Sequence, residues 1–293
     1  MTAVETWTTR RLLAWTAEHF EQRGIDSPRV AAEMLLSHIL AVPRLRLYME
    51  PDRPASPDER DRFRALVARA GKHEPVDYLI GKAPFFSLEL AVSPAVLIPR
   101  PSTETIVEHV LQRQRSRAQQ PPLTLADIGT GSGAITIALA KHLPDATFVA
   151  VDLSEDALAV ARQNAETHGV ADRIDFRLGD LYQPLAGERF DYLLSNPPYI
   201  SDAEWADVLP NVKDYEPTSA LRSSRDGLEH LRRLINDLAD HLKPGGQGLL
   251  EFSSTQAQAV RQLAEEAGNL DGLQILVDHE RLPRVLVADQ RVS

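Results

Sequence analysis

Asp127-Ile128-Gly129-Thr130-Gly131-Ser132-Gly133 stands between the apolar run Leu123–Ile128 and a helical stretch that starts at Ala134. A strand, a glycine-rich turn and a helix in that order open a βαβ unit. Glycines let the backbone turn sharply and let a ligand approach with no Cβ in the way. Downstream of this turn, extended and helical segments alternate to the end of the chain. Strands are predicted at Leu123–Ile128, Thr147–Asp152, Ile174–Leu178, Phe190–Ser195, Gly248–Phe252, Leu273–Asp278 and Arg284–Ala288. Helices fall near Ala134–His142, Glu155–His168, Leu228–Leu242 and Thr255–Ala267. Such alternation predicts an α/β fold: a doubly wound, mostly parallel sheet of seven strands whose last two form a hairpin-like pair.

Upstream the pattern is helical. Thr8 or Thr9 can cap a helix running through Leu12, Leu13, Trp15 and Phe20 to Gly24. Ser27-Pro28 opens a second, with Val30, Met34, Leu35, Ile39 and Leu40 on its apolar side; serine at the N-cap and proline at the first helical position is a start signal. Ser56-Pro57-Asp58-Glu59 has the spacing of a capping box and opens a third, ending near Gly71. Phe85–Ile98 reads as a β-hairpin with Ser93-Pro94 as its turn signal. A helix follows from about Thr103 to Arg115, then a polar loop from Arg115 to Pro122. The expected organisation is a helical domain over residues 1–80, a β-hairpin linker over 81–102 and a catalytic domain over 103–293.

The 293 residues suit two domains, and 43% hydrophobic with 25% charged residues is ordinary for a globular protein. There is no cysteine, which excludes disulfides, thiolate nucleophiles and cysteine metal sites. The nine histidines show no H-x-x-H or H-E-x-x-H spacing, so no metal is expected. No G-x-S-x-G elbow supports a hydrolase. Met1 to Arg11 carries no apolar signal region and no apolar run approaches the roughly 20 residues of a membrane helix, so a cytoplasmic protein is expected. Residues 1–80 hold 12 basic and 12 acidic side chains, so the whole formal charge of −10 falls on residues 81–293. An acidic domain repels phosphate backbones, and no direct nucleic-acid contact is expected.

Asp152 ends the second predicted strand, 19 residues after Gly133, where an acid can accept hydrogen bonds from ribose hydroxyls. Dinucleotide turns use the same elements. Here, however, the spacing is G-x-G-x-G, and Asp127 stands two residues before the first glycine. A carboxylate there opposes a diphosphate and suits the positively charged methionine end of S-adenosylmethionine. The loop by itself favours that cofactor over NAD without excluding NAD, or a tight turn with no ligand.

Asn196-Pro197-Pro198-Tyr199 follows the apolar run Phe190–Ser195. At a strand's carboxyl end it stands beside the glycine loop. A residue before proline is held extended, and proline has no N–H, so local carbonyls are left uncommitted. The Asn196 side-chain oxygen and the Pro197 carbonyl can then accept both N–H groups of a planar NH2. That raises electron density on the nitrogen and favours its pyramidalisation as a methyl group arrives. Tyr199 can stack on the flat group and exclude water. Methyl transfer from a sulfonium needs an aligned, desolvated nucleophile more than a strong base. In isolation these four residues would also read as a proline turn.

With both motifs in place the chain resembles the HemK/PrmC family of peptide chain release factor N5-glutamine methyltransferases. The resemblance runs through SPRVAAEMLLSHIL, EPVDYLIGKAPFFSLELAVSPAVLIPRP, VAVDLSEDALAVARQNA, GDLY, SNPPYI, YEPTSAL, DGLEHLRRLI and LKPGG, in the family's order. It implies a class I methyltransferase fold with an N-terminal substrate-recognition domain. It implies S-adenosylmethionine contacts at Gly129, Thr130, Gly131, Ser132, Gly133, Asp152, Leu181 and Asn196. Glutamine contacts are implied at Asn196, Pro197, Pro198 and Tyr199, with Asn196, Pro197 and Tyr199 at the reacting centre. The implied partner is a class 1 release factor, methylated on the glutamine of its GGQ motif by a monomeric enzyme. Two positions depart from the family pattern. Ser102 replaces an acid in Arg100-Pro101-Ser102-Thr103-Glu104, and Ser253-Ser254 follows Glu251-Phe252 where the family has glycine. Adenine-N6 methylation of DNA or RNA uses the same NH2 chemistry and stays open. So do methylation of a ribosomal protein glutamine and an inactive cofactor-binding module, although the intact Asn196–Tyr199 motif opposes loss of activity.

Overall fold

The computed structural model describes residues 6–115 and 122–291; most of the predicted polar loop, residues 116–121, lies outside them. The chain forms two units. Among the described residues no helix is long and apolar enough to cross a membrane.

The first unit comprises residues 6–82 with Leu209–Tyr215. Its helices are α1 (Thr9–Gln22), α2 (Pro28–Leu40), α3 (Arg44–Met49), α4 (Pro57–Ala70) and α5 (Val76–Ile80). Apolar positions at helical spacing (Leu13, Phe20, Ala32, Leu35, Leu36, Phe63 and Val67) pack into one core. Thr8 caps α1 through the Arg11 N–H, and the Ser56/Glu59 capping box forms at α4. The Ser27 cap does not form as expected. Ser27 has φ +45°, and its hydroxyl turns to Asp26 instead of to a helix N–H. Two short helices, α3 and α5, were not predicted, being only six and five residues long. Glu33, buried in α2, holds α3 in place: it accepts from Arg44 at 2.8 Å and from Tyr48. The Tyr215 hydroxyl donates to the Lys72 carbonyl at 2.9 Å, tying Leu209–Tyr215 into this unit.

The second unit carries the hairpin β1 (Lys82–Phe85) and β2 (Leu88–Ala91) from Ala83 onward. The hairpin is shorter than predicted and turns earlier. Phe86 and Ser87, not Ser93-Pro94, form its turn, both with positive φ (+46° and +64°), as a two-residue type I′ turn requires. Glycine would adopt this conformation readily; here Glu104 compensates by accepting the Phe86 N–H at 2.7 Å. Ser93–Val96 makes a separate turn beyond the hairpin.

Three helices, α6 (Glu104–Arg115), α7 (Ala134–His142) and α8 (Glu155–Thr167), precede or alternate with β3 (Thr124–Ile128), β4 (Thr147–Asp152), β5 (Ile174–Leu178) and β6 (Phe190–Ser195). Then follow the helix Glu229–Asp237, β7 (Leu242–Glu251), the helix Ala257–Ala267, β8 (Leu270–Val277) and β9 (Pro283–Gln290). The sheet order is β5-β4-β3-β6-β7-β9-β8, with β9 antiparallel to both neighbours and the other pairings parallel. Neighbouring residues point to opposite faces. Leu125, Tyr192 and Leu194 join the core on the α6–α7 side, and Ala126, Ile128 and Leu193 join the other. The strand β7 begins six residues before its predicted start. Lys243-Pro244-Gly245-Gly246 reads as a turn but is a bulge, across which the partner of β6 jumps from Leu242 to Gln247.

Strand order reverses between β3 and β6, so their carboxyl ends leave a crevice. Ile128 is level with Val151 on one side and Ser195 on the other. The Ser195 hydroxyl donates to the Ile128 carbonyl at 2.7 Å and locks the two strand ends together.

Candidate active site

A cavity of about 570 Å³ opens at these strand ends. The expected residues Gly129, Thr130, Gly131, Ser132, Asp152, Leu181, Asn196 and Pro198 all line it. Gly129 and Gly131 have φ +73° and +55°, with open space where a Cβ would stand. The loop is fixed from the β4 side. Gly129 and Thr130 donate to the Val151 carbonyl at 2.8 and 3.0 Å. The Asp152 carboxylate takes the Gly131 N–H at 2.8 Å on one oxygen and the Ser154 N–H at 2.9 Å on the other. Each oxygen keeps acceptor capacity for a ligand hydroxyl. Burial pushes the Asp152 carboxyl up, opposed by these backbone hydrogen bonds.

Three expected residues do not line the cavity. Gly133 caps α7 with φ +81°, and a Cβ on it would stand 2.8 Å from Ile137 Cδ1, so it serves helix packing. Pro197 is buried. The Tyr199 hydroxyl is pushed up to about 12, chiefly by burial and then by the Glu251 charge, and the Tyr199 carbonyl accepts from Gln256 at 3.0 Å.

Asp127 is buried at the foot of the loop. Its Oδ2 accepts from the hydroxyls of Thr130 (2.8 Å) and Thr136 (2.7 Å), and its Oδ1 is buried with no partner. Burial raises its carboxyl to about 6. At Leu181 the backbone has φ +48°, an uncommon conformation for a branched residue, and places it on the cavity wall beside Asp180. An acid at the end of β4, an apolar wall at Leu181 and an unpaired carboxylate oxygen beside the loop fit the ribose, adenine and cationic end of S-adenosylmethionine.

Several residues that shape the site escape a reading by motif. Thr103, buried at the start of α6, accepts the Asn196 Nδ2–H at 3.0 Å. Asn164 of α8 donates to the carbonyls of Ala91 (3.0 Å) and Ser132 (2.9 Å) and accepts the Ala91 N–H at 2.7 Å, joining the hairpin to the glycine loop. Buried Glu216 accepts the Ile98 N–H at 3.1 Å and pairs with Arg100, joining two cavity walls. His230 lines the cavity with Nδ1 2.9 Å from Ser223 Oγ; burial and then Arg233 hold its pKa down. An Asn on the buried face of α8 is the kind of signal that could have been found, since buried polar groups are rarely idle.

Comparison with known proteins agrees with this geometry. Residues 11–81 match the PrmC N-terminal domain and residues 102–211 the methyltransferase small domain. The crystal structure of a methyltransferase from Pyrococcus furiosus shares the fold, with a TM-score of 0.51 at 17% identity over 78% of this chain and 98% of that one. Release factor glutamine methyltransferase of Geobacter sulfurreducens is 41% identical, covering 91% of this chain and 92% of its own. That of Rhodopirellula baltica is 40% identical, covering 94% and 95%. With identity at this level along nearly the whole length, the chain belongs to the release factor glutamine methyltransferase family.

Proposed function

We propose that the protein methylates the side-chain amide nitrogen of a glutamine in a release factor, with S-adenosylmethionine as donor, and that this glutamine is the one in the GGQ motif of a class 1 factor. The observation that carries the reading is that Asn196 and the glycine loop line one cavity at the switch point of the sheet. The bound cofactor supplies an electrophilic methyl group on a sulfonium. The residues around it bind and orient. Gly129 to Ser132 and Asp152 hold the cofactor, and Leu181 covers its adenine. Asn196 Oδ1 and the Pro197 carbonyl accept the two amide N–H groups of the substrate. The burial of the Tyr199 hydroxyl helps to keep water from the nitrogen. A release factor substrate supports a cytoplasmic location, and we expect the enzyme to act as a monomer.

The test is incubation of the purified protein with isotopically labelled S-adenosylmethionine and a class 1 release factor, followed by peptide mass spectrometry. A single methyl group on the GGQ glutamine is expected. Label on another protein only, or on nucleic acid, would overturn the reading.

A further inference from the structure

We infer that Thr103 is a positioning residue for methyl transfer: its hydroxyl holds the Asn196 amide by Nδ2, so that Oδ1 is the atom presented to the substrate. The inference rests on the role just proposed for Asn196. Both residues line the cavity, and Thr103 is only 4% exposed. The 3.0 Å bond from Asn196 Nδ2 to Thr103 Oγ1 is the contact between them.

That contact does not by itself orient the amide. A hydroxyl donates or accepts equally well, and a flipped amide would only reverse the bond. The direction comes from one residue further in. Glu251, at the end of β7, is fully buried. When ionised it can only accept. Ser102 donates to its Oε1 at 2.8 Å. Burial pushes the carboxyl up, and the Thr103 and Ser102 hydroxyls beside it oppose that rise. Its Oε2 is buried with no hydrogen-bond partner, an acceptor left open for the Thr103 proton.

With its proton directed at Glu251, the Thr103 oxygen is left as an acceptor. The amide must then offer Nδ2, which puts Oδ1 on the opposite side of a planar group. Bonds aligned in this way, from Asn196 through Thr103 to Glu251, polarise one another. A flipped amide would set NH2 against the NH2 of the substrate, donor against donor. Ser102 supports the arrangement. Where the family pattern has an acid, this chain has a donor, so no second carboxylate stands beside Glu251 at position 102.

The test combines exchange measurements with kinetics on the full-length protein. Selective ¹⁵N labelling of the five asparagines gives five side-chain amides, and the Asn196 pair is assigned by its loss in Asn196→Ala. Slow exchange of one Asn196 Nδ2 proton is expected in the wild type and in Thr103→Ser, and fast exchange in Thr103→Val. With release factor as substrate, Thr103→Val should lower kcat roughly 10–100-fold, the scale of a misplaced reacting group, with cofactor affinity and melting temperature near wild type. Thr103→Ser should recover kcat to within about threefold, because it restores the hydroxyl. In an Asn196→Asp background, whose two oxygens are equivalent, adding Thr103→Val should change kcat by no more than about twofold, since no amide is left to flip. Unchanged exchange in Thr103→Val, a kcat near wild type, or the full penalty persisting in Asn196→Asp would overturn the assignment. A wild-type protein inactive on release factor would instead overturn the proposed function, and the exchange measurement would still decide the orientation of the amide.

Discussion

Asn196, half-buried on the cavity wall, and Asp127, buried at the foot of the glycine loop, show how surroundings turn ordinary polar side chains into site residues. Removing the Asn196 acceptor in Asn196→Ala should slow methylation of release factor roughly 10²–10³-fold, the usual cost of losing one preorganised electrostatic group. Cofactor affinity, measured by calorimetry, should change little. A wild-type rate would remove Asn196 from the mechanism. Asp127 offers a test by pH. Its carboxyl is raised from 3.8 to about 6, mainly by burial. A folded-state value above the unfolded one means that the folded protein takes up a proton first, so this group adds stability as pH falls from about 7 towards 4. Between pH 8 and pH 5 the gain is of order 1 kcal/mol. In Asp127→Asn that contribution disappears. Thermal melts should therefore show the wild type gaining on the variant as pH falls from 8 to 5. A constant difference between the two proteins over that range would refute a raised Asp127 pKa.

At the level of elements, the site depends on side chains such as Asn164 that do not line the cavity. The Asn164 side chain makes three hydrogen bonds that join β2, the glycine loop and α8. Asn164→Leu keeps the volume and strands a buried N–H and two carbonyls, at a cost of roughly 2–4 kcal/mol. The loop also loses its anchor at Ser132, so cofactor affinity should fall together with the melting temperature. A large fall in stability with unchanged affinity would show that Asn164 supports packing alone. The strands, the glycine loop and the Asn196 motif were legible because period-two runs, glycine spacing and strand-end position are local signals. Thr103, Asn164 and Glu216 were not, because their partners lie 93, 73 and 118 residues away. The hairpin turn was missed for a related reason. Phe86 and Ser87 are poor type I′ residues by propensity, and it is Glu104, 18 residues on, that secures the turn. Likewise the Pro-Gly-Gly stretch of β7 is carried as a bulge because β6 pairs with Leu242 before it and with Gln247 after it.

Over the whole molecule, charge and chemistry divide between the two units. All cavity-lining residues fall between Pro94 and His230 in the second unit, and residues 81–293 hold the whole formal charge of −10. The helical unit has its own core and no net charge over residues 1–80. Yet α1 and α3 expose Trp15 (49%), Leu45 (71%) and Met49 (72%). Large apolar side chains left in solvent on a small unit suit contact with a protein. Deleting residues 1–80 should then leave S-adenosylmethionine affinity within a few-fold of wild type and abolish methylation of intact release factor. Stability should also fall, because Leu209–Tyr215 packs with the deleted helices and Tyr215 loses the Lys72 carbonyl. For that reason the decisive control is a short glutamine peptide in place of the folded substrate. If the helices recognise the release factor, full-length and truncated proteins should methylate the peptide equally slowly, and only the full-length protein should accelerate on the folded factor. Equal rates on the intact release factor would show that the helical unit serves only packing.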